Sequence, residues 1–558
     1  ITIYASDQSP YGILSNIVGG LKLPEAKVRV ITPSYIGGGF GGKLRGSGLM
    51  PIVPIAWKAK NTPVKLSLTR EEEFTATTTR HASKVILKTG VKKDGTIIAR
   101  HAKLYFDTGA YADRGPTVLE KGVFGCIGPY KVPHVKVEAY ALYTNKVPSG
   151  AYRGYGTPQV TWAFDSQMDI IADKLKIDPV EIRLKNLVDE GYIMPVEKVD
   201  AHAVGLGECI VKSMEIIKKK SQETEGDKNK IKRGIGLGCG YKISRTPSGC
   251  NALIKVNSDF SADIYVSSIE MGQGVNTIFS QIVADELSIP FEKIRVLPAD
   301  TEVTPFFPAT TSSRTTFFLG NALKRAAEDI KRQLLNIAKD KLEVSKEDLI
   351  MENGFIYSEN DHDKRVSVEK LVKETYKGGI NVLGRGTFYH YFKHNMPPYV
   401  KLDVPPTHVW MYGAEAVKVD VNIETGRVKI VEVSAVMDVG KAINPLNCEG
   451  QIEGGVVHAI GNAMYEKLNF NNKGMITNTS LLDYKIPSAM DMPEINTGLV
   501  EYKHREGPYG AKGVGEIVVV PTSAAIANAI YNAVGVRIKD LPITPDAILE
   551  ALKNKDIE

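Results

Sequence analysis

Five glycines surround one phenylalanine, Phe40, in GGGFGGK at residues 37–43, directly after the apolar run VRVITPSYI. Glycine loses more conformational freedom on folding than any other residue, so a stretch like this calls for a close approach of bare backbone to something. Related loops recur along the chain: AYRGYGTPQ at 151–159, EMGQGVNT at 270–277, ATTSSRTT at 309–316, QIEGGVVHAIG at 451–461 and PYGAKGVGE at 508–516. One such loop alone reads as a tight turn or a close helix contact. Six together, most holding one or two polar or aromatic side chains, read as converging loops whose backbone N–H groups surround a large anionic ligand.

The common phosphate motifs do not account for them. A Walker loop needs Ser or Thr after Lys43, where Leu44 stands, and no G-x-G-x-x-G opens a helix with an acidic residue at the expected distance. Between the loops, short alternating runs suggest hairpins: KVILKTGVKKDGTIIARHAKLYFDTGAY, CNALIKVNSDFSADIYVSSIE and AEAVKVDVNIETGRVKIVEVSAVMDVG. QVTWAFDSQMDIIADKLKIDPVEIRLKNLV has helical spacing, with Pro179 starting a second helix. The fold class this predicts is α+β, with mixed hairpin sheets packed by helices. A charged helix and linker at 205–232 would divide a first unit, 1–204, from a second, 233–558.

Composition limits the partners. The formal net charge is +6, 70 basic against 64 acidic residues over 558, with no dense basic block, so nucleic acid is not an expected partner. Five scattered cysteines form no C-x-x-C pair, which fits reduced thiols in the cytoplasm and places any iron–sulfur centre on another chain. No continuous apolar run suggests a membrane span. His81, His202, His390 and His394 lack the H-E-x-x-H spacing and read as core or surface residues, and Asp438 and Glu453 read as structural acids.

GGGFGGK, AYRGYGTPQ, ADKLKIDPVEIRLKNL, EMGQGVNT, INPLNCEGQIEGG, DYKIPSAMDMPEI and GAKGVGE occur in an order that resembles the large, molybdenum-binding subunit of the xanthine dehydrogenase and aldehyde oxidase family. The resemblance runs from residue 1 to the C-terminus. It implies a molybdopterin cofactor, as such or as a dinucleotide, with molybdenum held by the pterin dithiolene and by no protein side chain. It also implies iron–sulfur and FAD partner subunits in a dimer of heteromers. ITIYASDQSP lacks an initiator methionine, and the family carries a further segment before it, expected upstream or on a separate chain.

Site residues follow from the same resemblance. Glu516 would be the general base that takes a proton from water as it attacks an electron-poor carbon. Gly39, Phe40, Gly41, Arg153, Gly272, Gln273, Gly274, Ser313, Thr315, His458, Lys512 and Gly513 would hold the cofactor. Phe40, Leu44, Lys121, Arg153 and Tyr155 would face substrate. Where the purine-oxidising branch has a glutamate after GGGFGGK, this chain has Leu44, so a ring N–H would be left unpaired on burial; an aldehyde is the expected substrate. Purine or N-heterocycle hydroxylation and a silent cofactor-binding fragment are the alternatives. AYRGYGTPQ lacks the cysteine that carries copper in carbon monoxide dehydrogenases, and His458 stands where the family has glutamine.

Overall fold

The computed structural model describes residues 1–44, 50–219, 227, 230–246, 249–389 and 407–555; the expected histidines His390 and His394 lie outside them. The three expected hairpins form. Ser83–Val91 pairs antiparallel with Ile97–Gly109 across the Asp94–Gly95 turn, and His134–Tyr143 joins the latter strand in parallel. Gly249–Val256 and Ala262–Tyr265 form the second hairpin, flanked by Val382–Tyr389 and Ile294–Val296. Val428–Asp438 pairs with Thr407–Asn422 in the third, within a four-stranded sheet completed by Ile231–Thr246 and Glu494–Val500.

The helix Thr157–Leu175 buries Val160, Phe164, Met168 and Ala172, one stripe at helical spacing. Pro179–Asn186 begins where predicted, with Asp178 capping the Val180 and Glu181 amides at 2.7 and 3.2 Å. The charged stretch from 205 contributes Leu206–Lys219, whose Leu206, Cys209 and Ile210 join a core containing both Phe164 and Tyr412. Residues on either side of the expected linker therefore share one core.

Alternating glycines press two helices onto two sheets. A Cβ at Gly236 would lie 2.1 Å from the Ala529 nitrogen of helix Thr522–Val534, and one at Gly386 would lie 1.8 Å from the Ala322 oxygen of helix Thr315–Leu342. Bare strand backbone thus lets each helix axis come closer than a side chain would permit. The loops 508–516 and 309–316 lead into these helices, so the glycine contacts fix where both loops end. The stretch Ile517–Val534 is apolar enough to cross a bilayer, yet 78% of it is buried within the protein.

Candidate functional site

All six loops contribute to the lining of one cavity of about 720 Å³. Phe40, Gly41, Leu44, Lys121, Arg153, Tyr155, Gly272, Gln273, Ser313, Thr315, Gly513 and Glu516 all border it, joined by Gln8, Lys242 and Gln451. Two of the glycines let their loops press against the backbone of other loops. A Cβ at Gly513 would sit 1.9 Å from the Ser313 oxygen, and one at Gly41, at φ +107°, would sit 2.5 Å from the Ala151 oxygen. Loop-on-loop packing is therefore one answer to why GGGFGGK lacks side chains. Four non-glycine wall residues, Phe40, Tyr155, Ser312 and Ser313, also adopt positive φ of 50, 46, 58 and 50°. Left-handed backbone in such residues is strained, and strain of this kind gathers at functional sites.

Glu516 ends the last loop beside the cavity. The Gly154 N–H donates to its Oε1 at 3.2 Å, while Oε2 is buried, without a hydrogen bond, and 3.7 Å from the Lys242 ammonium. Arg153 fastens the neighbouring backbone: its Nε donates to the Gly515 carbonyl at 2.5 Å and its Nη2 to Gln451. Burial pulls the Arg153 guanidinium down to about 10, and its charge sits 5.6 Å from the Phe40 ring centroid. At the other side, Leu44 packs with Ala151, Ala309 and Tyr155. The Tyr155 hydroxyl meets Thr117 at 2.9 Å, and burial raises its pKa.

Several of the loop residues also hydrogen-bond within the protein. The Gly41 N–H donates to Gln8 Oε1 at 3.0 Å, while Gln8 Nε2 donates to the Thr310 carbonyl. Gln273 closes its own loop, accepting from Met271 N and donating to the Ile269 carbonyl. The amides of Gly272, Gly274 and Asn276 converge on the Glu270 carboxylate at 2.9, 3.0 and 3.1 Å. The start of helix Val275–Leu287 thus carries its own anion, because a carboxylate is the natural complement of exposed helix N–H groups.

Four expected residues stand back from the cavity wall. Gly39 backs against Gln8 and Met271, and Gly274 against Asn447. His458 stacks edge-on against Phe40 at 4.3 Å and meets Tyr152, with burial holding its pKa down to about 4, so it is neutral near pH 7. Lys512 departs furthest from expectation: its ammonium is fully buried and bonded to Asp438 and the Ala203 carbonyl, each at 2.6 Å. A buried lysine demands a carboxylate partner, and this one is Asp438, a residue read as structural from the sequence. His81 is buried, with its pKa lowered to about 4 by burial, and the buried His202 meets His504 at 2.6 Å.

Gln8, Lys242 and Glu270 were not anticipated. Each is a single polar residue whose partner is distant in sequence or hidden in a backbone turn, so only Glu270, three residues before Gln273 in the quoted loop, offered a local signal. Among the described residues no group of three or more His, Cys, Asp or Glu is arranged to hold a metal ion. Ser313 Oγ and Glu516 Oε2 are buried, lack hydrogen-bond partners and belong to residues of the cavity wall. With the start of helix Thr315–Leu342 beside them, they suit a ligand that brings polar and anionic atoms of its own.

The molybdopterin cofactor-binding domain family matches residues 1–187 and, by a second domain of that description, residues 210–493. The chain is 35% identical to the xanthine dehydrogenase molybdenum-binding subunit of Escherichia coli O157:H7, over 99% of this chain and 73% of that one. It is 29% identical to the nicotine 6-hydroxylase large subunit of Paenarthrobacter nicotinovorans, over 99% of this chain and 70% of that one. Among solved structures it superposes on quinoline 2-oxidoreductase from Pseudomonas putida 86 with a TM-score of 0.88 and 25% identity, covering 99% of this chain and 72% of the other.

Proposed function

As the chain belongs to the molybdopterin-binding xanthine dehydrogenase and aldehyde oxidoreductase family of oxidoreductases, we propose that it is the large subunit of a molybdenum hydroxylase that oxidises an aldehyde with water as the oxygen source. The observation that carries this reading is Glu516: one oxygen tied to the Gly154 amide, the other buried without a hydrogen bond beside a cavity. When bound, the cofactor supplies the electron sink and activates the attacking water.

The chain's own residues do the rest. Ser313, Thr315, Gln273 and the Phe40 ring would hold the cofactor. Glu516 Oε2 takes the proton from water, a role suited to an oxygen with open lone pairs and a fixed partner oxygen. Arg153 keeps that carboxylate in place by anchoring the Gly515 carbonyl next to it. Leu44, Ala151, Ala309 and Tyr155 form an apolar wall that excludes water and presents a flat, electron-poor carbon. Electrons leave through iron–sulfur and FAD partner subunits, as expected of a chain whose relatives are named as subunits. The complex is a cytoplasmic dimer of heteromers in this reading.

A second reading, hydroxylation of an aromatic N-heterocycle, draws on the nicotine and quinoline enzymes among the relatives. Leu44 weighs against purines in either case, because it offers no acceptor for a ring N–H. Dye-linked assays of the molybdenum-loaded complex with benzaldehyde, quinoline and xanthine decide between the readings. Fastest turnover of benzaldehyde is expected. Turnover of xanthine alone, or equal activity in Glu516→Gln, would overturn the proposal.

A further inference from the structure

The cavity wall is unusually cationic. Arg114, Lys121, Arg153, Lys242 and Arg314 border it, against two carboxylates, Glu120 and Glu516. Four of the five cations are engaged within the protein. Arg153 is bound to Gly515 and Gln451, Arg314 to the Ala309 carbonyl, and Lys242 faces Glu516. Lys121 rests over the Phe124 ring, 5.1 Å from its centroid.

Arg114 differs. It stands at the N-terminal end of helix Gly115–Gly125, and one helical face carries Arg114, Thr117 and Lys121 at spacings of three and four. Thr117 holds the Tyr155 hydroxyl, and the Arg114 charge acts on that same hydroxyl, so the guanidinium stands at the Leu44–Tyr155 end of the cavity. It is half-buried, and no carboxylate among the described residues pairs with it, Glu120 included. A planar, permanently charged fork at the apolar end of a cavity suits a carboxylate better than any neutral group.

Building on the proposed hydroxylase reading, we infer that Arg114 receives an anionic substituent of the substrate, so that the preferred substrate class is a carboxylate-bearing aldehyde, with the reacting carbon toward Glu516 and the acid toward Arg114. Charge and shape then divide the recognition: Leu44, Ala309 and Tyr155 grip the flat body, and Arg114 sets which end points inward.

The test compares 4-formylbenzoate with its methyl ester on the molybdenum-loaded complex, in the unsubstituted enzyme, Arg114→Met and Arg114→Lys. Calorimetric binding of terephthalate to cofactor-depleted protein gives a readout independent of turnover. The acid should show a KM at least about tenfold below that of the ester, the range expected for a charge-assisted hydrogen bond. This ratio should collapse in Arg114→Met and return in part in Arg114→Lys, with terephthalate binding following the same order. Equal KM values for acid and ester, or a preference that survives Arg114→Met, would overturn the inference. If neither compound is turned over, the hydroxylase reading fails, and terephthalate binding decides the role of Arg114 alone. Should inorganic pyrophosphate displace terephthalate while Arg114→Met lowers the molybdenum content, Arg114 serves the cofactor's phosphate and the inference falls. Should Arg114→Met fail to fold, the acid-to-ester ratio in Arg114→Lys decides, an unchanged ratio being the adverse result.

Discussion

Lys242 Nζ stands 3.7 Å from Glu516 Oε2, close enough for charge attraction and too far for a hydrogen bond. The lysine is 2% exposed, so the carboxylate is its counter-charge as well as the proposed base. Glu516→Gln should therefore do two separable things. Turnover should fall by roughly two to four orders of magnitude, the usual worth of a general base. Stability should fall by about 3 kcal/mol because a buried cation loses its partner. Adding Lys242→Met should restore most of the melting temperature and none of the turnover, a double-mutant cycle read by calorimetry and dye reduction.

Gly513→Ala tests whether the loops need to touch. The new Cβ would meet the Ser313 oxygen at 1.9 Å, so the 309–316 and 508–516 loops must separate. A loss of about 1–3 kcal/mol and a lower molybdenum content per chain are expected. Gly450→Ala is the control: nothing lies within 4 Å of its Cβ, in the helix Pro445–Ile460, and it should be neutral or slightly stabilising.

Lys512→Met separates structure from cofactor binding. With Asp438 left buried and unpaired, unfolding should become easier by about 3–5 kcal/mol. Molybdenum content per folded chain should not change. A selective loss of molybdenum with an unaltered melting temperature would return Lys512 to the cofactor.

Glu415 gives the chain a pH-dependent stability unrelated to the site. Its carboxylate is fully buried, both oxygens lack hydrogen bonds, and the neighbouring Thr522 hydroxyl is unpartnered too. Burial pushes its pKa up from 4.5 to about 8. The folded protein then holds a proton that the unfolded chain releases, so the contribution is fully present below about 4.5 and is lost as pH rises through about 8. The slope is at most about 1.4 kcal/mol per pH unit. Glu415→Gln should flatten this profile and raise the melting temperature at pH 8, measured by calorimetry across the window.

The parts of this molecule that could be read from sequence were those whose cause is local. Alternation fixed the hairpins around Asp94–Gly95, 257–261 and 423–427, and Asp178–Pro179 marked a helix start by capping chemistry alone. Phe40, Leu44 and Glu516 were legible because each sits inside or beside a distinctive glycine loop. Lys512 sits in one too, yet its partner Asp438 is 74 positions away, and nothing in GAKGVGE reports a buried carboxylate elsewhere. Gln8, Lys242 and Arg114 were invisible for the same reason: a lone polar side chain acquires meaning only from what the fold brings opposite it.

Glu270 has the widest consequence. By gathering the Gly272, Gly274 and Asn276 amides itself, it spares that corner of the cavity from depending on a guest for its shape. That corner is set by a stretch of seven residues alone, a carboxylate collecting the amides two, four and six positions after it.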